Sequence, residues 1–197
     1  TTGRLRNPAR RYKFSMDRHW LLTSTFYGTW LPGDERGFVG SVRDKRPDDP
    51  SRIIRLEHDI PGTPYDQDFV GLKIASTELM KGPPIILDNS KAHVLLSQFL
   101  ETAGHRQWTL LAVAIMCNHF HLVVEVPGDP SPTKVLGDFK AWGSRAFSKN
   151  FGRPSSETWW TYDGSKRKLS DKVAITAAII YVLTKQYNPL VTWCPTR

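Results

Sequence analysis

The stretch Met116-Cys117-Asn118-His119-Phe120-His121-Leu122-Val123-Val124-Glu125-Val126 decides the fold. Its apolar and β-branched residues read as a strand, and the two histidines stand two positions apart within it. Successive side chains of a strand point to opposite faces, so His119 and His121 share one face and Phe120 points to the other. Two imidazoles side by side on a rigid strand offer two nitrogen ligands to one divalent cation and leave its other positions open for substrate oxygens. The plain alternative is two ordinary histidines on a sheet face. Glu125 shares that face, as a distal ligand, as an acceptor for an imidazole N–H, or simply as the charge that ends a strand.

Working outward, Trp108 to Ile115 reads as a second strand, joined to the first by a tight turn at Cys117-Asn118, so the two make an antiparallel pair. Upstream, Asp88-Asn89-Ser90 is a helix-start cluster, and Ala92 to Ala103 carries apolar residues at 92, 95, 96, 99 and 100, the spacing of an amphipathic helix. A short strand at Ile85 to Leu87 and a short helix over residues 72–81 precede it. Residues 40–68 hold Pro47, Pro50, Pro61 and Pro64 amid dense mixed charge, without period, and read as a long surface insertion. His19 to Trp30, rich in aromatic and β-branched residues, suits a strand, and the punctuation of Pro32, Gly33 and Gly37 ends it. Asp34 and Glu35 then serve the turn and pair with Arg36.

Downstream, Ser131 caps a helix with Pro132 at its first position. That helix runs to about Lys149, burying Val135, Phe139, Trp142 and Ala146 and leaving Lys134, Lys140, Arg145 and Lys149 for solvent or a ligand. Trp159-Trp160 reads as a short strand and Gly164 to Lys168 as a basic loop. Ser170 caps a last helix, Asp171 to about Gln186, ended by Asn188-Pro189. The order strand, helix, strand, strand, helix, helix predicts an α+β domain of the ferredoxin-like, split βαβ kind: an antiparallel sheet with helices mainly on one face. One domain over residues 19–197 is expected, after a basic arm at residues 1–18 with six Lys/Arg against one Asp.

The chain carries 27 Lys+Arg against 19 Asp+Glu, a net charge of +8 and a pI near 9.6, which favours a polyanion, nucleic acid before membrane. Two cysteines, Cys117 and Cys194, make no disulfide framework and fit a reducing compartment. No apolar run is long enough to cross a bilayer. The basic N-terminus lacks the apolar run of a secretory signal.

With His119-Phe120-His121 on a strand and Tyr181 on a later helix, the chain resembles the single-tyrosine HUH transposases, and within them the REP-associated branch. Leu22 to Gly37, Met116 to Val124 and Tyr181-Val182-Leu183 carry the likeness, with Trp160 and Gly164 to Leu169 similar to the segment that precedes the tyrosine helix. The resemblance implies a metal-dependent transposase that cleaves and rejoins single-stranded, hairpin-bearing DNA through a covalent 5′-phosphotyrosine. It also implies a homodimer, and a cytoplasmic, nucleoid-associated setting in a prokaryote. Tyr181 would be the nucleophile, His119 and His121 metal ligands, and Mg²⁺ or Mn²⁺ the metal. Many relatives place a glutamine one turn after the tyrosine as third ligand. Here Lys185 holds that i+4 place, and Gln186, one residue later, is preferred because an ammonium cannot bind a cation. At about 100° per residue, Gln186 reaches the site only if the helix end loosens. Tyr187 is the second candidate nucleophile. Lys134, Lys140, Arg145, Lys149, Lys166, Arg167 and Lys168 form the expected DNA track; residues 131–170 carry eight positive and three negative charges. Trp30, Trp142, Trp159 and Trp160 are candidates to stack on unpaired bases, half or more of them expected in the core. His19, His58, His93 and His105 have no partner at ligand spacing.

Overall fold

The computed structural model describes residues 17–34, 41–45, 53–57 and 70–196, the backbone alone for the second and third of these. The chain forms β1 (Arg18–Thr25), β2 (Ser41–Lys45), β3 (Ile53–Glu57), α1 (Val70–Glu78), α2 (Asn89–Arg106), β4 (Thr109–Ile115), β5 (His119–Val126), α3 (Pro132–Phe151), β6 (Ser165–Leu169), α4 (Lys172–Thr184) and β7 (Val191–Trp193). Five strands make one antiparallel sheet in the order β6-β1-β5-β4-β7. β5 separates β1 from β4, the two strands that α2 connects, which is the expected split βαβ arrangement. The expected arm at residues 1–18 lies outside the described residues except for its last two.

Phe120 is the pivot. It is fully buried among α2 and α3, its ring centroid 4.9 Å from Phe99 and 5.8 Å from Trp160. Leu22, Phe26, Leu122, Val124, Phe139 and Phe147 complete that core. The alternation of the strand then turns His119, His121 and Val123 to the opposite face. There α4 covers Ala112, Ala114, Met116 and Val123 with Ala178 and Val182. Thus the two long helices share one face as expected, and the last helix crosses the face that carries the histidines.

Several local expectations shift. The first strand ends at Thr25, and Phe26 makes only an isolated bridge to Trp160. Residues 40–68 were expected to lack regular structure, yet β2 and β3 pair there from Ser41↔Glu57 to Lys45↔Ile53; five-residue strands are too short for their period to register. Ile85 to Leu87 is extended but joins no ladder, its amides donating to the carbonyls of Tyr27 and Cys117. On α3 the buried row is Val135, Leu136, Phe139, Gly143 and Phe147, while Trp142 is 43% exposed. A Cβ at Gly143 would stand 2.9 Å from the Leu95 side chain and 3.0 Å from the Trp160 ring, so a larger residue there would have to push both aside. Ser131 sits at the N-cap without a side-chain cap bond.

The basic stretch and the tryptophan pair exchange roles. Residues 165–169 are an edge strand paired with β1, whereas Trp159 and Trp160 fill the core, their indole N–H groups donating to Ser148 and to Lys140 and Ser144. Tryptophan's large apolar body favours burial once the N–H has a partner. The cap of α4 is Asp171, whose carboxylate accepts from the Ala174 amide, not Ser170. β7, an edge strand after Pro189, had no clear period in its three residues.

Candidate metal and nucleophile site

His119 and His121 lie side by side near the start of β5, their ring centroids 4.8 Å apart. Each has its Nδ1 held by a neighbouring oxygen. The His119 Nδ1 is 2.6 Å from the Asn118 side-chain oxygen. The His121 Nδ1 is 2.6 Å from the hydroxyl of Thr23, its cross-strand partner on β1. Neither Thr23 nor Asn118 emerges from the sequence reading; a polar residue opposite a strand histidine, visible once β1 and β5 are registered, was the available signal.

His121 is 7% exposed. Burial, with His119 nearby, pushes its pKa down to about 3 against a contribution from Gln186 that raises it. The ring is therefore neutral across the physiological range, the form that ligates a metal.

Tyr181 reaches this site from α4. Its ring centroid is 5.5 Å from that of His121, and the residue is 43% exposed, so its phenol is open to a substrate. Tyr187 is 88% exposed, beyond the helix end. α4 closes at Thr184 with Lys185 at its C-cap, so Gln186 is released from helical phase. The Gln186 side-chain N–H donates to the Tyr181 carbonyl at 3.0 Å, and the side chain stands near enough to His121 to raise that ring's pKa. Because the helix ends before it, Gln186 lies near His121 despite its i+5 position.

Among the described residues no three His, Cys, Asp or Glu side chains come together. The donors here are two imidazoles and an amide oxygen, a set that fits one divalent cation with positions to spare. Glu125 lies at the other end of β5, its carboxylate 3.7 Å from His19 in the registered pair His19↔Glu125, and so serves as the strand-end charge. His93 bonds the Asn89 carbonyl and His105 faces Glu101, while His58 lies outside the described residues. Asp34 donates its amide to Leu31 in the turn after β1; Glu35 and Arg36 are outside the described residues.

The expected DNA track divides. Lys134, Lys149, Arg167 and Lys168 are exposed, and the Arg145 guanidinium lies 4.5 Å from the Trp142 ring centre. Lys140 is not available: its ammonium donates to the carbonyls of Thr161, Tyr162 and Asp163, and burial lowers its pKa to about 8. Lys166 pairs with Asp163.

Residues 84–163 match the family of IS200-like transposases. The match spans α2, the histidine-bearing β5 and α3, and ends before Tyr181. A solved structure described as a REP-associated tyrosine transposase bound to a REP hairpin aligns with 90% of this chain and 70% of its own, at 10% identity and a TM-score of 0.43. Among curated proteins none matches this chain. No helix of the described residues is long and apolar enough to cross a membrane.

Proposed function

We propose that this chain is a metal-dependent transposase that cuts and rejoins single-stranded, hairpin-bearing DNA through Tyr181. The observation that carries the reading is the meeting of Tyr181 with His121 at a ring distance of 5.5 Å, from two elements separated in the chain by α3 and β6. His119, His121 and the Gln186 oxygen would hold Mg²⁺ or Mn²⁺. When bound, the ion supplies charge neutralisation at the scissile phosphate and steadies the leaving oxygen.

The chain's own part is positional and nucleophilic. The Tyr181 phenol loses its proton and its oxygen bonds to phosphorus; the P–O3′ bond breaks, and the 3′ oxygen takes up a proton. The product is a 5′-phosphotyrosine and a free 3′-OH. Attack by a 3′-OH on the same phosphorus reverses the step and releases the tyrosine, so no nucleotide triphosphate is consumed. Tyr181 lies against its own chain's His121; use of the tyrosine helix by the partner's histidines in a homodimer is the alternative. The reading includes a homodimer, as the resemblance implies, which sedimentation checks.

The test is a denaturing gel of the protein with end-labelled single-stranded hairpin DNA, with Mn²⁺ or with EDTA, beside Tyr181→Phe and His119→Ala. A metal-dependent covalent band, lost in both variants, is expected. Cleavage without an adduct would instead assign a hydrolytic nuclease, and hairpin binding with neither would assign a binding protein.

A further inference from the structure

We propose that Asn118 is a positioning residue that selects which nitrogen His119 presents, and Thr23 one that fixes the ring plane of His121, an inference resting on the metal-binding reading of the site. Asn118 precedes His119 in the tight turn between β4 and β5 and offers its side-chain oxygen to Nδ1 at 2.6 Å. A carbonyl oxygen only accepts, so this contact requires Nδ1 to carry a proton, and in the neutral ring Nε2 then holds the lone pair. An unassisted neutral imidazole prefers the opposite form, with the proton on Nε2. Asn118 thereby inverts the default and prepares His119 to ligate through Nε2 before any cation arrives.

Thr23 acts on His121 with a different latitude. Its hydroxyl both donates and accepts, so the 2.6 Å contact is compatible with either tautomer. It fixes the plane of the ring and leaves the proton free to move to Nδ1 when Nε2 is claimed. The backbone secures both partners. Asn118 gives its carbonyl to the Phe26 amide and the Thr29 hydroxyl, and Thr23 is registered directly opposite His121. One histidine is locked, the other adjustable.

The experiment is long-range ¹H–¹⁵N correlation of the histidine rings in metal-free, ¹⁵N-histidine-labelled protein, followed by Mn²⁺ titration read by electron paramagnetic resonance. The wild type is expected to show His119 protonated at Nδ1. Asn118→Leu should move that proton to Nε2 and weaken Mn²⁺ binding about 10- to 100-fold, the usual effect of losing such a partner. Asn118→Asp, which retains an acceptor, should keep the Nδ1–H form. Thr23→Val should weaken Mn²⁺ binding and Thr23→Ser should restore it. A wild-type His119 protonated at Nε2, or an Asn118→Leu variant with an unchanged ring pattern, would overturn the proposal. If the tautomer pattern is as expected and yet no Mn²⁺ binds, the selection of the ring nitrogen stands and the metal reading falls.

Discussion

Tyr181 and Gln186 are linked through one carbonyl: the Gln186 amide donates to the Tyr181 backbone oxygen, the same oxygen that accepts the Lys185 amide at the end of α4. The nucleophile-bearing turn and the third candidate ligand therefore move as a unit. Replacing Gln186 by leucine should lower Mn²⁺ affinity and adduct formation together, while Gln186→Glu, which keeps an oxygen donor, should retain binding. Lys185→Ala should leave Mn²⁺ affinity unchanged, since its amide, not its ammonium, makes the contact. Equal loss in Lys185→Ala and Gln186→Leu would count against Gln186 as a ligand.

The choice between tyrosines follows from the same helix end. Tyr181→Phe should abolish the covalent DNA adduct and leave Mn²⁺ binding intact, because the phenol oxygen is lost and the ring contact to His121 is kept. Tyr187→Phe should leave adduct yield unchanged. Mapping the DNA-bearing peptide by mass spectrometry after nuclease digestion decides between them.

His121 makes the metal-free protein sensitive to acid. Its folded pKa of about 3 lies below the ordinary value of 6.5, so between these pH values the unfolded chain binds a proton that the folded chain refuses. Stability due to this group is complete above pH 6.5 and is lost progressively as pH falls toward 3, at no more than about 1.4 kcal/mol per pH unit. Urea denaturation from pH 7 to pH 4 should show this slope, and His121→Gln should be flatter. Identical slopes in the two proteins would refute the assignment.

Much of this was legible because period-two alternation around His119-Phe120-His121 is unambiguous, and because the helix start at Asp88 follows local capping chemistry. Contacts between distant segments were not. Nothing near Trp142 reveals that Leu95 and Trp160 claim the helix face at Gly143, and nothing near Lys140 reveals that the carbonyls of residues 161–163 occupy its ammonium. The basic residues 166–168 read as a loop because an edge strand, half solvated, needs no apolar alternation. Gly164 marks its entrance: a Cβ there would collide with the Thr23 carbonyl oxygen, so only glycine admits the strand beside β1.

Phe120 couples stability to the site. Truncation of so buried a ring costs about 3–5 kcal/mol. Phe120→Ala should therefore lower the midpoint of chemical denaturation sharply, and at sub-denaturing urea should also weaken Mn²⁺ binding, because the ring sets which way its two neighbours point. Phe120→Leu should recover most of both. A stable Phe120→Ala protein would remove Phe120 as the anchor of β5.

Register also separates the three basic residues of β6. Arg167 stands opposite Leu21, in the row that continues to Val123 on the histidine face; Lys168 stands opposite Trp20, in the row of Val124 on the face of α2 and α3. Lys166 is on that second face and bound to Asp163. A strand of DNA threaded past His121 and Tyr181 would thus meet Arg167 and not its neighbours. Arg167→Ala should weaken single-stranded DNA binding and reduce the slope of log K against log salt by about 1, whereas Lys168→Ala should change the slope by less. Fluorescence anisotropy over a salt series measures both. A larger slope change for Lys168→Ala would place the DNA on the face of α2 and α3, away from the histidines.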